Sequence, residues 1–258
     1  MNKGIHPSAI IEEGAQLPDD VTVGAYAYIG SQVKMGPGCV VMHHASVEGN
    51  TRIGANNTFF PYACIGGRSQ DLKFKGSSAG VIMGDNNCFR EYATVHEATD
   101  LETPTTVGNN NFFLAYTHIA HDCVIGDYVV ASNYCGLSGH VHIGNHVIMG
   151  GISGVHQFCR VGDYAMVGAM AKVVKDIPPY MIADGNPAQT RTLNKIGLDR
   201  HGFNAADIAQ IRSLFKVMFK SHLSREQAIE EIEKREDKES PITAKILGFL
   251  QGSERGIS

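Results

Sequence analysis

The sequence has no tryptophan, no CxxC pair and no run of eighteen apolar residues. The missing apolar run excludes a membrane-spanning helix. The missing CxxC spacing leaves the six cysteines as separate thiols rather than a metal or redox pair. Charge is sparse too: 19% of residues are Asp, Glu, Lys or Arg, and the formal net charge is −4. That balance fits neither a nucleic-acid surface nor a disordered chain. The opening residues, Met1-Asn2-Lys3-Gly4-Ile5-His6-Pro7, hold no long apolar core and no cleavage pattern. The expectation is therefore a cytoplasmic chain with reduced cysteines and no secretion signal. What is plentiful is glycine, 29 of 258 residues, alongside 43% hydrophobic residues. This is enough for one large domain, or for one domain plus a small appendage.

A six-residue period runs through most of the chain. Stepping by six from Ile5 to Val173 meets an apolar residue at every position except Asp71 and Ser77. Stepping by six from Ala9 to Ala171 meets only Ala, Val, Cys, Ser, Thr or Asn, except at Lys75. Neither a helix of 3.6 residues per turn nor simple strand alternation produces this period. Large and small residues alternating across one interior fit a packed tube. The pattern is the hexapeptide repeat of a parallel β-helix, in which three hexads make one coil. Glycine follows twelve of the large residues, as at Val23-Gly24 and Ile125-Gly126, where it is expected to supply positive φ at bends. Cys39, Cys123, Cys135 and Cys159 fall in the small column and read as core fillers. The off-pattern residues predict a loop leaving the coil over 66–81, and a polar stretch predicts a smaller one over 100–106.

The β-helix is assigned to 1–177, ending at Ile177-Pro178-Pro179, and a helical domain to 178–258. Asn204 is placed to cap a helix with apolar residues Ile208, Ile211, Leu214, Phe215 and Met218. Ser224-Arg225-Glu226-Gln227 reads as a capping box for a second helix, and Pro241 opens a third ending near Gly252. These helices are expected to cover the open end of the coil.

Ten of the twelve histidines lie in the repeat region, and none falls in either interior column. Residues eighteen apart stack on neighbouring coils, about 4.8 Å away. His121, Gly139 and Gln157 then form one column, His118 stacks with Gly136 and Gly154, and Asp122 lies below His140. Imidazoles, a carboxylate and bare glycine backbone beside a groove suit acyl transfer. Zinc is the alternative: a set such as His118, His121 and His142 would need to converge near 2.1 Å from the ion, with one position left open.

The motifs Gln70-Asp71-Leu72-Lys73, Val95-His96, His118-Ile119-Ala120-His121-Asp122-Cys123, Ser138-Gly139-His140-Val141, Val155-His156-Gln157-Phe158-Cys159 and Gly202-Phe203 carry a family resemblance. The chain resembles the UDP-N-acetylglucosamine O-acyltransferases that begin lipid A synthesis, over nearly its whole length. The resemblance implies a left-handed coil and a homotrimer with its sites between subunits. It implies transfer of an (R)-3-hydroxyacyl chain from acyl carrier protein to the 3-hydroxyl of UDP-N-acetylglucosamine, without metal or cofactor. His121 would be the general base, Asp122 would hold it, and the Gly139 N–H would receive the oxyanion. Asp71 and Lys73, with Gln70 in the same motif, would contact ligand from a neighbouring subunit. His96, His118, His140, His156 and Gln157 would line the sugar and diphosphate pocket, and Asn194 and Arg200 would reach the nucleotide. Ile196, His201 and Pro187 depart from residues common in relatives, which bears on the nucleotide contacts. The resemblance also implies that acyl length is measured near Ala169, with Met170 beside it. Another hexapeptide acyltransferase acting on an amino-sugar nucleotide, or a zinc hydratase, are the competing readings. Arg212, Lys216 and Lys220, at i, i+4 and i+8, offer the acidic carrier protein a basic stripe.

Overall fold

The computed structural model describes residues 4–76 and 78–258. Met1–Lys3 and Ser77, used above for the chain's opening and for an off-pattern step, lie outside the described residues. Short strands stack into three parallel sheets of nine, seven and ten strands, the last ending in an antiparallel pair. Each strand pairs with one a coil away: Thr22 with Val40, His118 with Gly136, Gly136 with Gly154. This is a parallel β-helix with eighteen residues per regular coil. Both interior columns are buried, including Cys39, Cys123, Cys135 and Cys159. Burial pushes the Cys123 thiol up to about 12 and those of Cys135 and Cys159 up to about 11, so these cysteines are inert filling. Phe59, Phe89 and Phe113 stack along the axis with ring centroids 5.6 and 4.8 Å apart.

The glycines after the large residues do a different job from the one expected. Among them only Gly66 has positive φ. The left-handed corners are instead non-glycine residues two positions further on, such as Tyr26, Asn56, Tyr128 and His146. Glycine is needed because the coils touch: a Cβ at Gly24 would stand 2.6 Å from the His43 backbone nitrogen, and one at Gly36 2.6 Å from the Gly54 carbonyl carbon. Stacking between corner rings, as along Tyr62, Tyr92, Tyr116 and Tyr134 at 4.8–5.0 Å, offsets the left-handed strain at about 0.5–1.5 kcal/mol per pair.

Two excursions break the stack. Val81 pairs with Thr51, thirty positions back rather than eighteen, so the first adds twelve residues, between the strands Cys64–Gly67 and Val81–Met83. Val81 also pairs with Thr105, twenty-four positions on, so the second adds six, between Thr94–His96 and Thr105–Val107. Thr105 and Thr106, expected in that loop, are back in strand. Both insertions are multiples of six, so a six-residue count passes through them undisturbed. Leu101 is therefore a false member of the apolar series: it lies in the second excursion, 67% exposed.

Residues 181–193 are not helical but form an antiparallel hairpin, Met181–Gly185 with Ala188–Leu193, which extends the ten-stranded sheet. Ile177, Ala183 and Ala188 belong to the coil's core. The turn and hairpin thus close the coil, and the helices build a second core on the hairpin. A short helix not expected from the sequence, α1 (Lys195–Arg200), precedes the three expected ones, α2 (Ala205–Phe219), α3 (Arg225–Glu233) and α4 (Pro241–Gln251). Asn204 and Ser224 each close a capping box, with Asp207 and Gln227, and Ser240 caps α4 ahead of Pro241. Ile208, Ile211, Leu214, Phe215 and Met218 form the buried face of α2. No described helix is long and apolar enough to cross a membrane.

Candidate active site

The coil register brings the histidines out onto one face. The chain turns sharply after Ile119, and Asp122 takes a left-handed conformation, φ 59°. This aims the carboxylate back at the preceding side chain: His121 Nδ1–H donates to Asp122 Oδ2 at 2.7 Å. Asp122 is 8% exposed, and its second oxygen accepts the backbone N–H of Thr99 and Asp100 at 3.0 and 3.1 Å. Its own N–H donates to Thr105 Oγ1 at 2.8 Å. A buried carboxylate with its lone pairs satisfied holds the imbedded partner's tautomer, so His121 Nε2 carries the basic lone pair.

The His121 ring lies across Gly139 on the next coil. A Cβ there would stand 2.6 Å from His121 Nε2. Among the described residues the Gly139 N–H has no acceptor. His140 flanks the pair, its Nε2 3.6 Å from Asp122 Oδ2 and its ring stacked on Phe158 with centroids 4.6 Å apart.

A groove of about 760 Å³ opens beside His121. Gly136 and Gly154 floor it: a Cβ at either would meet nothing within 4 Å. Gln70, His118, His156, Gln157, Lys172 and Asn186 supply polar walls, and Leu137, Ile152, Val155 and Met170 apolar ones. His118 Nδ1 is 2.8 Å from Thr94 Oγ1. Its burial, with lesser contributions from His96 and His121, pushes the imidazole down to about 4. His96 sits edge-on to His118 at 5.3 Å and donates from Nδ1 to the Arg68 carbonyl. His156 Nδ1 faces the Gln157 carbonyl, with the Arg255 guanidinium 3.4 Å away.

The first excursion returns to this face. Ser69 Oγ hydrogen-bonds Thr99 Oγ1 at 2.7 Å and accepts the Asp71 N–H, tying the two excursions together. Ligand atoms of Asp71, His121 and His140 lie within 4.8 Å of one another. The family implied that Asp71 reaches ligand from a neighbouring subunit; here it already stands beside its own chain's His121. The Lys73 side chain is exposed, and its N–H donates to Asp71 Oδ1.

Asn194 and Arg200 are not brought to the groove of their own chain. The Asn194 side chain is engaged in the fold, accepting the Gly197 N–H as the α1 cap and donating to the Tyr164 carbonyl. Arg200 ends α1 in solvent, next to His201, whose ring is edge-on to His146 at 4.6 Å. Within one chain the zinc set His118, His121 and His142 does not converge either, because the strands of His118 and His142 belong to different sheets.

Several contributors escaped the sequence reading. Thr94 faces His118 twenty-four positions on, a step visible only once the six-residue insertion is known. The Thr99 and Asp100 amides carry no residue-type signal. Asn186 and Arg255 arrive from the hairpin turn and the chain's last residues, to which the repeat does not extend.

A family profile described as UDP-N-acetylglucosamine O-acyltransferase, domain 2, matches residues 176–258. The chain is 42% identical over 254 residues to the acyl-[acyl-carrier-protein]–UDP-N-acetylglucosamine O-acyltransferase of Thermodesulfovibrio yellowstonii, covering 98% of both. It is 44% identical to the enzyme of the same name from Saccharophagus degradans, again over 98% of both. The crystal structure of the UDP-N-acetylglucosamine O-acyltransferase of Moraxella catarrhalis superposes with a TM-score of 0.94 at 40% identity, covering 98% of each chain. Full-length likeness at this identity, together with a shared helical tail, makes the chain a member of the UDP-N-acetylglucosamine O-acyltransferase family.

Proposed function

We propose that the chain transfers an (R)-3-hydroxyacyl group from acyl carrier protein to the 3-hydroxyl of UDP-N-acetylglucosamine, the first step of lipid A biosynthesis. One observation carries the reading: a carboxylate-held imidazole lies across a glycine with a free backbone N–H, at the edge of a half-apolar groove. His121 Nε2 takes the proton of the sugar hydroxyl as its oxygen attacks the thioester carbonyl. The Gly139 N–H donates to the oxyanion that forms. Collapse breaks the carbon–sulfur bond, and the imidazolium returns its proton to the departing sulfur. Asp122 keeps Nδ1 protonated throughout. A positioned base contributes about 10²–10⁴ in rate and an oxyanion donor about 10²–10³. The thioester supplies the leaving group, so these steps call for no cofactor.

In this reading Gln70, Asp71, Lys73, His96, His118, His140, His156 and Gln157 hold the sugar and diphosphate. The apolar wall at Ile152 and Met170 takes the acyl chain. Left-handed winding and a homotrimer belong to the same reading. The exposed ridge of Tyr62, Tyr92, Tyr116, Tyr134, Ile152 and Met170 supports burial against another copy. So does the position of exposed Arg200 outside its own chain's groove, since a neighbour's Arg200 is then free to complete the nucleotide site, with Asn194 fixing the start of the helix that carries it. For the carrier protein, three cations, Lys195, Arg212 and Lys216, and one carboxylate, Asp199, line a depression with Ala205, Ile208 and Ala209, a net basic, partly apolar seat for an acidic helical partner. A cytoplasmic location agrees with a soluble carrier-bound donor.

The test is an assay of purified protein with 3-hydroxyacyl carrier proteins of graded length, against UDP-N-acetylglucosamine and an amino-sugar nucleotide. Ester formation with the former and none with His121→Ala is the expected result. Amide formation as the preferred product would replace the acceptor, and turnover by His121→Ala would remove the base.

A further inference from the structure

We propose that Asp71, His121 and His140 form a binding site for a divalent transition-metal ion, Zn²⁺ being the best match, and that the bound ion inhibits transfer. The inference rests on the catalytic reading of His121 only for the inhibition; binding stands without it. Three features of the structure lead there.

The first is convergence. One ligand atom from each of the three side chains lies within 4.8 Å of the other two, and all three residues are half-buried. A modest rotamer adjustment closes such a set around one ion at about 2.0–2.2 Å. Two imidazoles and one carboxylate are a borderline donor set. It suits Zn²⁺, Co²⁺ or Ni²⁺, and it is wrong for Mg²⁺ or Ca²⁺, which need oxygen ligands.

The second is preorganisation. A metal-bound imidazole is normally oriented by a carboxylate on its other nitrogen, and removing that partner weakens metal binding by about 10–100-fold. His121 already has this partner, with Nδ1 2.7 Å from Asp122 Oδ2. Asp122 is in turn held by two backbone amides. His121 Nε2 is thus aimed away from that partner, and no described side chain occupies it.

The third is the open position. The site borders the groove that also contains Gln70 and Gln157, so a fourth ligand, water or a substrate oxygen, has room. The ion would take the lone pair that abstracts the acceptor proton and would stand where the sugar hydroxyl must approach. Zn²⁺ and UDP-N-acetylglucosamine therefore compete. Asp71 reaches the histidines only because the twelve-residue excursion folds back on its own coil.

The test separates binding from catalysis. Zn²⁺ is titrated calorimetrically into the full-length protein, and Co²⁺ is followed by its visible absorption, both without substrates. One ion per chain is expected, with a four- or five-coordinate Co²⁺ spectrum. Asp71→Asn and His140→Gln should each weaken Zn²⁺ binding at least about tenfold, as should Asp122→Asn, which leaves all three ligands in place. Thermal melting confirms that each variant is folded, and two independent ligand variants guard against loss of one. In the acyltransferase assay, Zn²⁺ should raise the apparent KM for UDP-N-acetylglucosamine with kcat unchanged, and a chelator should reverse it. Binding whose strength is the same in all three variants would place the ion on surface histidines and overturn the site. Tight binding at the site with noncompetitive inhibition, or none, would overturn the inhibitory role.

Discussion

Glycine 139 has two duties at the residue scale, and they can be separated from glycine's usual one. Its φ lies outside the left-handed region, so the backbone itself accepts alanine. The three atoms nearest to a methyl group there all belong to the His121 ring, Cε1 closest and Nε2 at 2.6 Å. Gly139→Ala should therefore fold, keep its melting temperature within a few degrees, and lose about 10²-fold or more in kcat/KM through a displaced imidazole. Gly248→Ala in α4, where a Cβ also meets nothing and which lies outside the groove, is the control; an equal activity loss there would dissociate the effect from His121. His118 makes a separate prediction. Unfolded, its imidazole takes a proton near 6.5; folded, burial holds it down to about 4. Between those values the unfolded chain binds the extra proton, so this residue erodes stability as pH falls from 6.5 toward 4 and stops doing so below. His118→Asn should flatten the acid decline of melting temperature over that window, and an unchanged slope would show that other groups cause it.

At the scale of elements, the second excursion is a clamp one hexad long. It hands Asp122 two amides, from Thr99 and Asp100, and then rejoins the coil in phase. Deleting residues 99–104 should preserve the β-helix, seen as an unchanged circular dichroism spectrum. It should still lower kcat by about 10²-fold, because Asp122 loses its orientation. The helical caps are independent of all this: Asn204→Ala should cost about 1 kcal/mol in denaturant unfolding by removing the α2 capping box, with little effect on KM. The elements also mark how far the sequence could be read. The coil, its three later helices and the caps Asn204 and Ser224 were legible because each rests on a local rule. The hairpin 181–193 was not, although Asp184-Gly185-Asn186-Pro187 is a turn signal. Its strands, Met-Ile-Ala-Asp-Gly and Ala-Gln-Thr-Arg-Thr-Leu, lack clean alternation, and the pairing shifts register between Ile182 and Ala183.

At the scale of the whole molecule, the candidate site lies on one face of the coil and the proposed carrier seat on the helical tail. Association with an acidic carrier protein is then a matter of the local charge of α1 and α2, since the net charge of −4 is unfavourable. Charge reversal at Arg212 and Lys216, which rim the depression, should raise KM for carrier-bound donor. It should spare kcat and turnover of a free pantetheine thioester. Lys220, the third member of the stripe, caps the end of α2 near the Phe215 ring, 5.8 Å from its centroid, and lies outside that rim; its reversal should matter less. Light scattering should report three chains per particle, and Tyr116→Glu on the exposed ridge should reduce that number.

A six-residue rhythm of large and small side chains was sufficient by itself to determine the coil, its packed interior and the outward histidines, because a tube repeats one local packing problem at every step. The register also placed His121 over Gly139 and Asp122 beneath His140. Only the tertiary structure decided what lies between the coils: that the glycines serve close approach rather than φ, that backbone amides of an excursion hold Asp122, and that Asp71 folds back onto its own histidines. Those contacts join segments with no fixed separation in sequence and depend on backbone groups every residue has, so no residue type announces them.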